Sequence, residues 1–182
     1  MILHGARRRV SPGLIDDHVF LCMAGVGLDA HVLAELSLGL KRGLGKSAYV
    51  WAGLRALRRL RLPPLVVWLD GTPVAAVGVI VARTRFYGGR FVVVPSASLT
   101  APELSVCLFK RGSRVAALRY CLGIGLGCHH RFGDIDIRQA RGVRIESADP
   151  SPYHTDGDLR GSLPIGVDVA PRALMLVYPA GV

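Results

Sequence analysis

Residues 20–30 read FLCMAGVGLDA, an apolar run that enters the glycine pattern G-x-G-x-x-A. A strand, this turn and a following helix would outline a dinucleotide-binding fold, but that fold needs a second strand directly after the helix. Here the next predicted strand, PLVVWLD at 64–70, follows two predicted helices. Asp29 would also put negative charge where a pyrophosphate binds. The stretch therefore predicts a sharp strand-to-helix turn and argues against dinucleotide binding.

Strands dominate the elements predicted around that turn. Helices are predicted at about 30–38, 46–61 and 115–122 from apolar residues spaced three and four apart. Because these helices do not alternate regularly with strands, we predict a mainly β (α+β) fold, a β-sandwich-like antiparallel domain with two or three inserted helices, with 1–182 as a single domain. Apolar runs separated by Gly and Pro predict the strands Arg7–Val10, Val19–Ala24, Leu65–Leu69, Val74–Thr84, Phe91–Val94, Leu104–Phe109, Ile135–Gln139, Val143–Glu146, Leu163–Val169 and Ala173–Tyr178.

Composition limits the class of protein. Of the 182 residues, 51% are hydrophobic and 20% are charged, which favours a large buried core over disorder. The longest apolar stretch, Val74–Ala82, is far shorter than the roughly 20 residues of a membrane-spanning helix. The first residues lack the pattern of a signal peptide, so we expect a cytoplasmic protein with its four cysteines as buried free thiols.

A net charge of +10 favours phosphate-bearing partners, although it would also keep a hydrophobic domain soluble. The predicted helix at 46–61 gathers Arg55, Arg58, Arg59 and Arg61, which could contact anionic lipid headgroups or form a solvated face. Nucleic-acid binding rests on charge alone, because no recognised motif accompanies it. We therefore expect no nucleic-acid partner and leave peripheral contact with an anionic membrane open.

Several motifs occur in one order: GVGLDA, LKRGLGKSAY, FYGGRFVVVPSAS, and TDGDLRG followed by LPIGVDVAPRALMLVYP. Their order and spacing resemble the C-terminal domain of the soluble lipid kinases of the diacylglycerol kinase and sphingosine kinase family, from about Arg7 to Pro179. The resemblance implies a β-sandwich-like lobe that covers the lipid substrate and completes an active site with an N-terminal ATP-binding lobe.

That ATP-binding lobe carries a G-G-D-G-T motif in the family, and neither this motif nor a G-x-x-x-x-G-K-[ST] phosphate loop occurs here. The chain thus looks like the second half of such a kinase, whether as a fragment, a truncated gene product or one chain of a split enzyme. ATP and Mg, the cofactors that the family implies, would be held mainly by the missing lobe. We expect this chain to be inactive alone.

The stretch Thr155-Asp156-Gly157-Asp158 is the candidate catalytic motif. The family has D-G-E here, and the resemblance assigns its acids to catalysis, so Asp156 or Asp158 would accept the proton of the lipid hydroxyl. Asp158 replaces the family's Glu, which withdraws the carboxylate by about 1.5 Å and puts activity in doubt. The alternative is a type I′ hairpin turn, for which Asp-Gly is a preferred pair.

The resemblance also places substrate contacts at the two glycine-rich motifs. Tyr87 would form a wall beside the ligand. The alternative for Tyr87-Gly88-Gly89 is an ordinary glycine turn between strands, and the alternative for Asp29 is a helix cap. The candidate substrate-binding residues are Gly25, Gly27, Asp29, Tyr87, Gly88 and Gly89.

After P-x-A the family has D-D-G-x-L-D, whose first half helps to hold magnesium. Here Thr100, Ala101 and Ser105 replace the aspartates, Pro102 replaces the glycine, and Glu103 is the only local acid. Because magnesium prefers carboxylate and carbonyl oxygens, we predict that this metal site is absent or much weakened. Two functions remain: the substrate lobe of an ATP-dependent lipid kinase, or a degenerate, non-catalytic lipid- or partner-binding domain.

Overall fold

The computed structural model describes residues 6–27, 62–87 and 91–178. These ranges contain the helix α1 (Arg114–Gly125) and a 3-10 turn at His129–Arg131. The strands are β1 (Ala6–Val10), β2 (Gly13–Ile15), β3 (His18–Phe20), β4 (Met23–Gly27), β5 (Leu65–Leu69), β6 (Thr72–Ala76), β7 (Gly78–Ala82), β8 (Phe86–Tyr87), β9 (Phe91–Val92), β10 (Leu104–Phe109), β11 (Ile135–Ala140), β12 (Gly142–Ser147), β13 (Pro152–Thr155), β14 (Asp158–Ser162), β15 (Ile165–Val169) and β16 (Leu174–Tyr178).

Most of these strands form two six-stranded sheets. Sheet I has the order β11-β10-β7-β4-β13-β14, and sheet II has the order β3-β2-β15-β12-β5-β6. Two ribbons, β1-β16 and β8-β9, complete the described part, and its strands pair antiparallel throughout. The prediction of a mainly β, sandwich-like antiparallel fold is confirmed.

The main core lies between the two sheets. Leu104, Val106 and Leu108 of β10 are fully buried, and they share one hydrophobic cluster with Val67 and Ile145 of sheet II. These β10 residues alternate along the strand because successive side chains point to opposite faces of a sheet. Burial of such side chains supplies the main driving force for folding of the sandwich.

A second core covers the other face of sheet I. Cys107 and Phe109, the alternate residues of β10, are buried there together with Ala117 and Tyr120 of α1. Ser113 caps α1, since its hydroxyl accepts a hydrogen bond from the Ala116 N–H at 3.1 Å. Sheet I is therefore buried on both faces in its central strands, which explains their uninterrupted apolar sequences.

Two long predicted strands are each divided in the structure. Val19–Ala24 is split between β3 in sheet II and β4 in sheet I, and Val74–Thr84 is split between β6 and β7. The second break lies at Val77, whose N–H donates to the Phe109 carbonyl at 2.8 Å. Both runs stay mostly apolar across the break, so the sequence gives no sign of it.

Four short strands, β2, β8, β13 and β14, were not predicted, and the helices predicted at about 30–38 and 46–61 lie outside the described residues. The prediction of buried thiols is confirmed for Cys107 and wrong for Cys22 and Cys121, which are exposed. No helix in the described ranges combines the length and the hydropathy that a membrane span requires.

Candidate functional site

Asp156 and Gly157 form the two-residue turn between β13 and β14. Their φ angles are 51° and 95°, and positive values at both central positions define the type I′ hairpin turn. Asp tolerates the left-handed region better than most residues, and Gly enters it freely. The segment is thus a tight hairpin, which differs from the extended geometry in which both carboxylates would share one side.

The Asp156 carboxylate is bonded to the β3–β4 connection. Oδ2 accepts the Leu21 N–H at 2.8 Å, while Oδ1 accepts the N–H groups of Cys22 and Met23 at 2.8 and 2.9 Å. The Asp156 N–H in turn donates to the Met23 carbonyl at 2.9 Å. Since a carboxylate has about four acceptor positions, most of its capacity is used inside the protein.

Asp156 and Asp158 are both exposed residues, and Asp158 presents its carboxylate to solvent. Its side chain is 77% exposed at the start of the edge strand β14. The Nη2 atom of Arg160 lies 3.4 Å from Asp158 Oδ2, and Arg160 Nε donates to the Thr155 hydroxyl at 3.1 Å. Arg160 therefore lies beside the exposed carboxylate, on the same strand, with its orientation fixed by Thr155.

Cys22 joins this hairpin to the end of β7. Its carbonyl accepts the N–H groups of Arg83 and Thr84 at 2.8 and 3.2 Å. Burial raises the pKa of the Cys22 thiol, the negative charge of Asp156 raises it further, and a hydrogen bond with Thr84 acts in the opposite direction. One end of sheet I thus brings together residues 21–23, 83–84 and 155–158.

Of the candidate glycines of the first motif, Gly25 lies near this end and Gly27 lies at the opposite end of β4. Gly25 and Gly27 belong to β4, so the predicted tight loop at Gly25–Asp29 is wrong for its first three residues. Gly25 is in register with His154, two residues before Asp156. Gly27 has φ +81°, and a Cβ there would lie 2.5 Å from the Val77 carbonyl oxygen. The backbone at Gly27 accordingly requires glycine.

Tyr87 ends β8, is half-buried and packs against the second core. It follows Thr84 by three residues, which places its strand beyond the same end of sheet I. Asp29, Gly88 and Gly89 lie outside the described residues, as does the cluster Arg55, Arg58, Arg59 and Arg61.

The loop where the resemblance implied a magnesium site surrounds a buried protein cation. Arg83, which is fully buried, donates to the carbonyls of Ser11, Glu103 and Ala101 at 2.8, 2.5 and 2.8 Å, and to that of Leu99 at 3.2 Å. These carbonyl oxygens are therefore engaged by the guanidinium. Burial lowers the pKa of Arg83 from its ordinary value.

The acidic groups near this loop do not fit a magnesium ion. The Glu103 carboxylate pairs with Arg141 at 3.7 Å. Among the described residues, no group of three or more His, Cys, Asp and Glu side chains could hold a metal ion. No chemical step is therefore assigned to a metal held by residues 96–105.

The roles of Arg83 and Arg160 were not predicted from the sequence. The hydrogen bonds from the N–H groups of residues 21–23 to the Asp156 carboxylate were not predicted either. Arg83 follows the apolar run of β7, and such a position is also typical of an ordinary solvent-exposed strand end. Arg160 carried a weak signal, because it stands two residues after Asp158 and so shares its side of a strand.

The sequence and the fold of this chain are similar to those of known proteins. Residues 22–178 match the family described as "YegS C-terminal NAD kinase beta sandwich-like domain". The chain is 30% identical over 138 residues to a "Diacylglycerol kinase" of Mycobacterium tuberculosis, covering 74% of this chain and 44% of the relative. It is also 30% identical over 186 residues to a "Probable lipid kinase YegS-like" of Pseudomonas putida, covering 99% of this chain and 60% of the relative. The chain thus spans about half the length of these relatives.

Two crystal structures from Bacillus anthracis str. Sterne share the fold. The first has a TM-score of 0.69 at 18% identity and covers 97% of this chain and 60% of its own. The second, described as that of a diacylglycerol kinase, has a TM-score of 0.62 at 15% identity and covers 97% of this chain and 56% of its own. The family match and these relatives agree with the motifs and the sandwich: the chain belongs to the YegS C-terminal NAD kinase beta sandwich-like family, the C-terminal domain of lipid kinases.

Proposed function

We propose that this domain is the substrate lobe of an ATP-dependent lipid kinase that phosphorylates a diacylglycerol- or sphingoid-type hydroxyl. An ATP-binding lobe outside this sequence would supply ATP and its magnesium, and the domain alone would not turn over. The relatives of M. tuberculosis and P. putida support the proposal, because they are named as kinases and are longer than this chain.

The observation that carries the proposal is the contrast between the two carboxylates of one turn. Asp156 is held by three backbone N–H groups, whereas Asp158 is 77% exposed. A rigid turn that presents one exposed carboxylate suits a group that must meet a bound hydroxyl at a defined distance. We therefore assign proton acceptance to Asp158 and positioning of the turn to Asp156.

The proposed reaction is an in-line displacement. The lipid hydroxyl oxygen attacks the γ-phosphorus of ATP, the bond from this phosphorus to the β–γ bridging oxygen breaks, and ADP leaves. The hydroxyl proton passes to the Asp158 carboxylate. Arg160, 3.4 Å from that carboxylate, would hold its orientation.

The lipid would approach the turn from the end of sheet I beyond which Tyr87 stands. Gly25 lies two residues along β4 from Met23, and Gly27 ends that strand. We keep these three residues, with Asp29, Gly88 and Gly89, as the proposed substrate contacts.

A non-catalytic lipid- or partner-binding role is the second candidate. Two observations favour it: Arg83 occupies the carbonyls of the loop where the family holds magnesium, and Asp158 is shorter than the family's Glu. A domain of this kind would bind lipid and transfer no phosphate.

A reconstitution assay separates the two candidates. The chain is mixed with the ATP-binding lobe of a relative, radiolabelled ATP and short-chain diacylglycerol or sphingosine, and lipid phosphate is measured. The kinase proposal expects transfer that Asp158→Asn abolishes and that Asp168→Asn, an exposed acid of β15, leaves unchanged. Lipid binding without transfer in any pairing supports the non-catalytic role.

A further inference from the structure

Helix α1 is apolar on two opposite faces. One face packs on sheet I through Ala116, Ala117 and Tyr120. The opposite face carries an exposed stripe, defined here as Val115, Leu118, Leu122 and Leu126, which are 78%, 48%, 57% and 79% exposed. At about 100° per residue these positions lie along one line of the helix surface. An ordinary surface helix has polar residues there, so this stripe marks an interaction surface.

The segment of the chain that carries the stripe is basic. Residues 110–138 contain six Lys and Arg against two Asp, a local net charge of +4 with neutral histidines. Both acids are already bound by two cations each: Asp134 by Arg119 and by Arg111 at 3.7 Å, and Asp136 by Lys110 and Arg138 at 3.3 and 2.7 Å. The six cations are Lys110, Arg111, Arg114, Arg119, Arg131 and Arg138.

The arrangement of charge and apolar surface identifies the partner. Around the helix, Arg114 falls on one flank of the stripe and Arg119 on the other. A helix with an apolar line between basic flanks lies in a membrane interface, with its apolar side chains below the headgroups and its arginines at the phosphates. A neutral partner protein would match the stripe and leave the excess cations unpaired.

We propose that the α1 stripe docks this domain on an anionic lipid surface. The docking requires neither ATP nor phosphoryl transfer, so it is independent of the proposed kinase function. It would nevertheless bring the domain to the surface where lipid hydroxyls are found.

Vesicle co-sedimentation of the full chain tests the inference, without ATP and without diacylglycerol. Vesicles of phosphatidylcholine alone are compared with vesicles that also contain phosphatidylglycerol. We expect binding only to the anionic vesicles, and weaker binding as salt screens the arginines. Leu118→Gln/Leu122→Gln should lower the partition coefficient at least about tenfold. Arg114→Gln should lower it about fivefold.

Matched variants guard against general effects. Val19→Gln/Val66→Gln removes two apolar side chains of similar exposure, 54% and 42%, from sheet II and should bind as the unsubstituted chain does. Circular dichroism checks that each variant is folded, and Val115→Gln/Leu126→Gln replaces the first pair if that pair unfolds.

Three results would overturn the inference: equal binding to neutral vesicles, loss of binding in the sheet II control only, or unchanged binding in the stripe variants. A dimer that the stripe variants dissociate would also overturn it, because a second copy of the chain would then cover this face. None of these results bears on phosphoryl transfer, which the reconstitution assay measures separately.

Discussion

Met23 and Asp156 exchange hydrogen bonds in both directions. The Met23 N–H donates to Asp156 Oδ1 at 2.9 Å, and the Asp156 N–H donates to the Met23 carbonyl at 2.9 Å. The two residues are 133 positions apart in the sequence. This reciprocal pair fixes the β13–β14 hairpin to the beginning of β4.

Loss of the Asp156 carboxylate should weaken the fold. Asp156→Gly keeps the positive φ without strain, so it measures the carboxylate alone, and we expect a loss of about 2 to 3 kcal/mol in the free energy of unfolding. Asp156→Ala should lose about 1 kcal/mol more, because alanine resists that φ. Urea unfolding gives both values.

Asp168→Ala is the control for these variants, since it removes an exposed acid and should stay within about 0.5 kcal/mol of the unsubstituted chain. An Asp156→Gly variant as stable as this control would show that the hydrogen bonds of the Asp156 carboxylate contribute nothing to the free energy of unfolding.

The Cys22 thiol should report the charge of Asp156. Burial and the Asp156 carboxylate raise its pKa, while Thr84 lowers it. Asp156→Asn should therefore move the midpoint of the pH profile of Cys22 alkylation to lower pH, and Thr84→Val should move it to higher pH. Mass spectrometry of the labelled peptides follows Cys22 alone, and the profile of Cys121 serves as the internal reference.

Opposite shifts of the Cys22 midpoint in the two variants indicate an electrostatic effect. A general loosening of the site would shift the midpoints of both variants in the same direction. Cys107, whose pKa burial raises to about 12, should stay unlabelled in the native protein. Midpoints that coincide in all three proteins would contradict the assigned geometry.

Gly27 and Gly71 provide a matched pair. Both have positive φ, +81° and +85°, but only Gly27 faces a backbone oxygen, 2.5 Å from a built Cβ, whereas Gly71 has nothing within 4 Å. Gly71→Ala should cost about 1 to 2 kcal/mol from φ alone. Gly27→Ala should cost at least about 1 kcal/mol more, from overlap with Val77. Equal costs in thermal or urea unfolding would refute the close approach.

Arg83 should be essential for stability through its carbonyl partners. Arg83→Met leaves four carbonyls without this donor, and we expect a loss of at least about 3 kcal/mol in the free energy of unfolding. Arg83→Lys retains the charge and should lose less. Arg144→Met removes an exposed arginine, 66% exposed, and should lose about 0 to 1 kcal/mol. An Arg83→Met variant that unfolds like Arg144→Met would contradict this role.

The sequence carried much of the fold because apolar runs and turn residues are local signals. Leu65–Leu69 and Leu104–Phe109 were predicted with the observed bounds, and α1 within three residues at its end. The division of Val74–Thr84 between two sheets could not be predicted, since both halves are apolar. The strands β13 and β14 contain Pro, His and Gly, and the cross-strand pairing that makes them strands is not a local property.

The candidate site was predictable only as a motif. The Asp-Gly pair identified a turn, and the order of the motifs identified the family. The partners of Asp156 lie more than 130 residues away, so no local pattern could reveal that one acid is bound and the other exposed. The carbonyls around Arg83 are backbone groups, which sequence does not distinguish.

We propose Asp158 as the proton acceptor, with a side chain one C–C bond shorter than the family's Glu. Restoring that reach in Asp158→Glu, in the reconstituted mixture with an ATP-binding lobe, tests it most directly. We expect lipid phosphorylation to rise by about tenfold to 100-fold in kcat, since a displacement near 1 Å can cost that much, while Asp158→Asn falls to background. Equal rates for the unsubstituted chain, Asp158→Glu and Asp158→Asn would contradict the account.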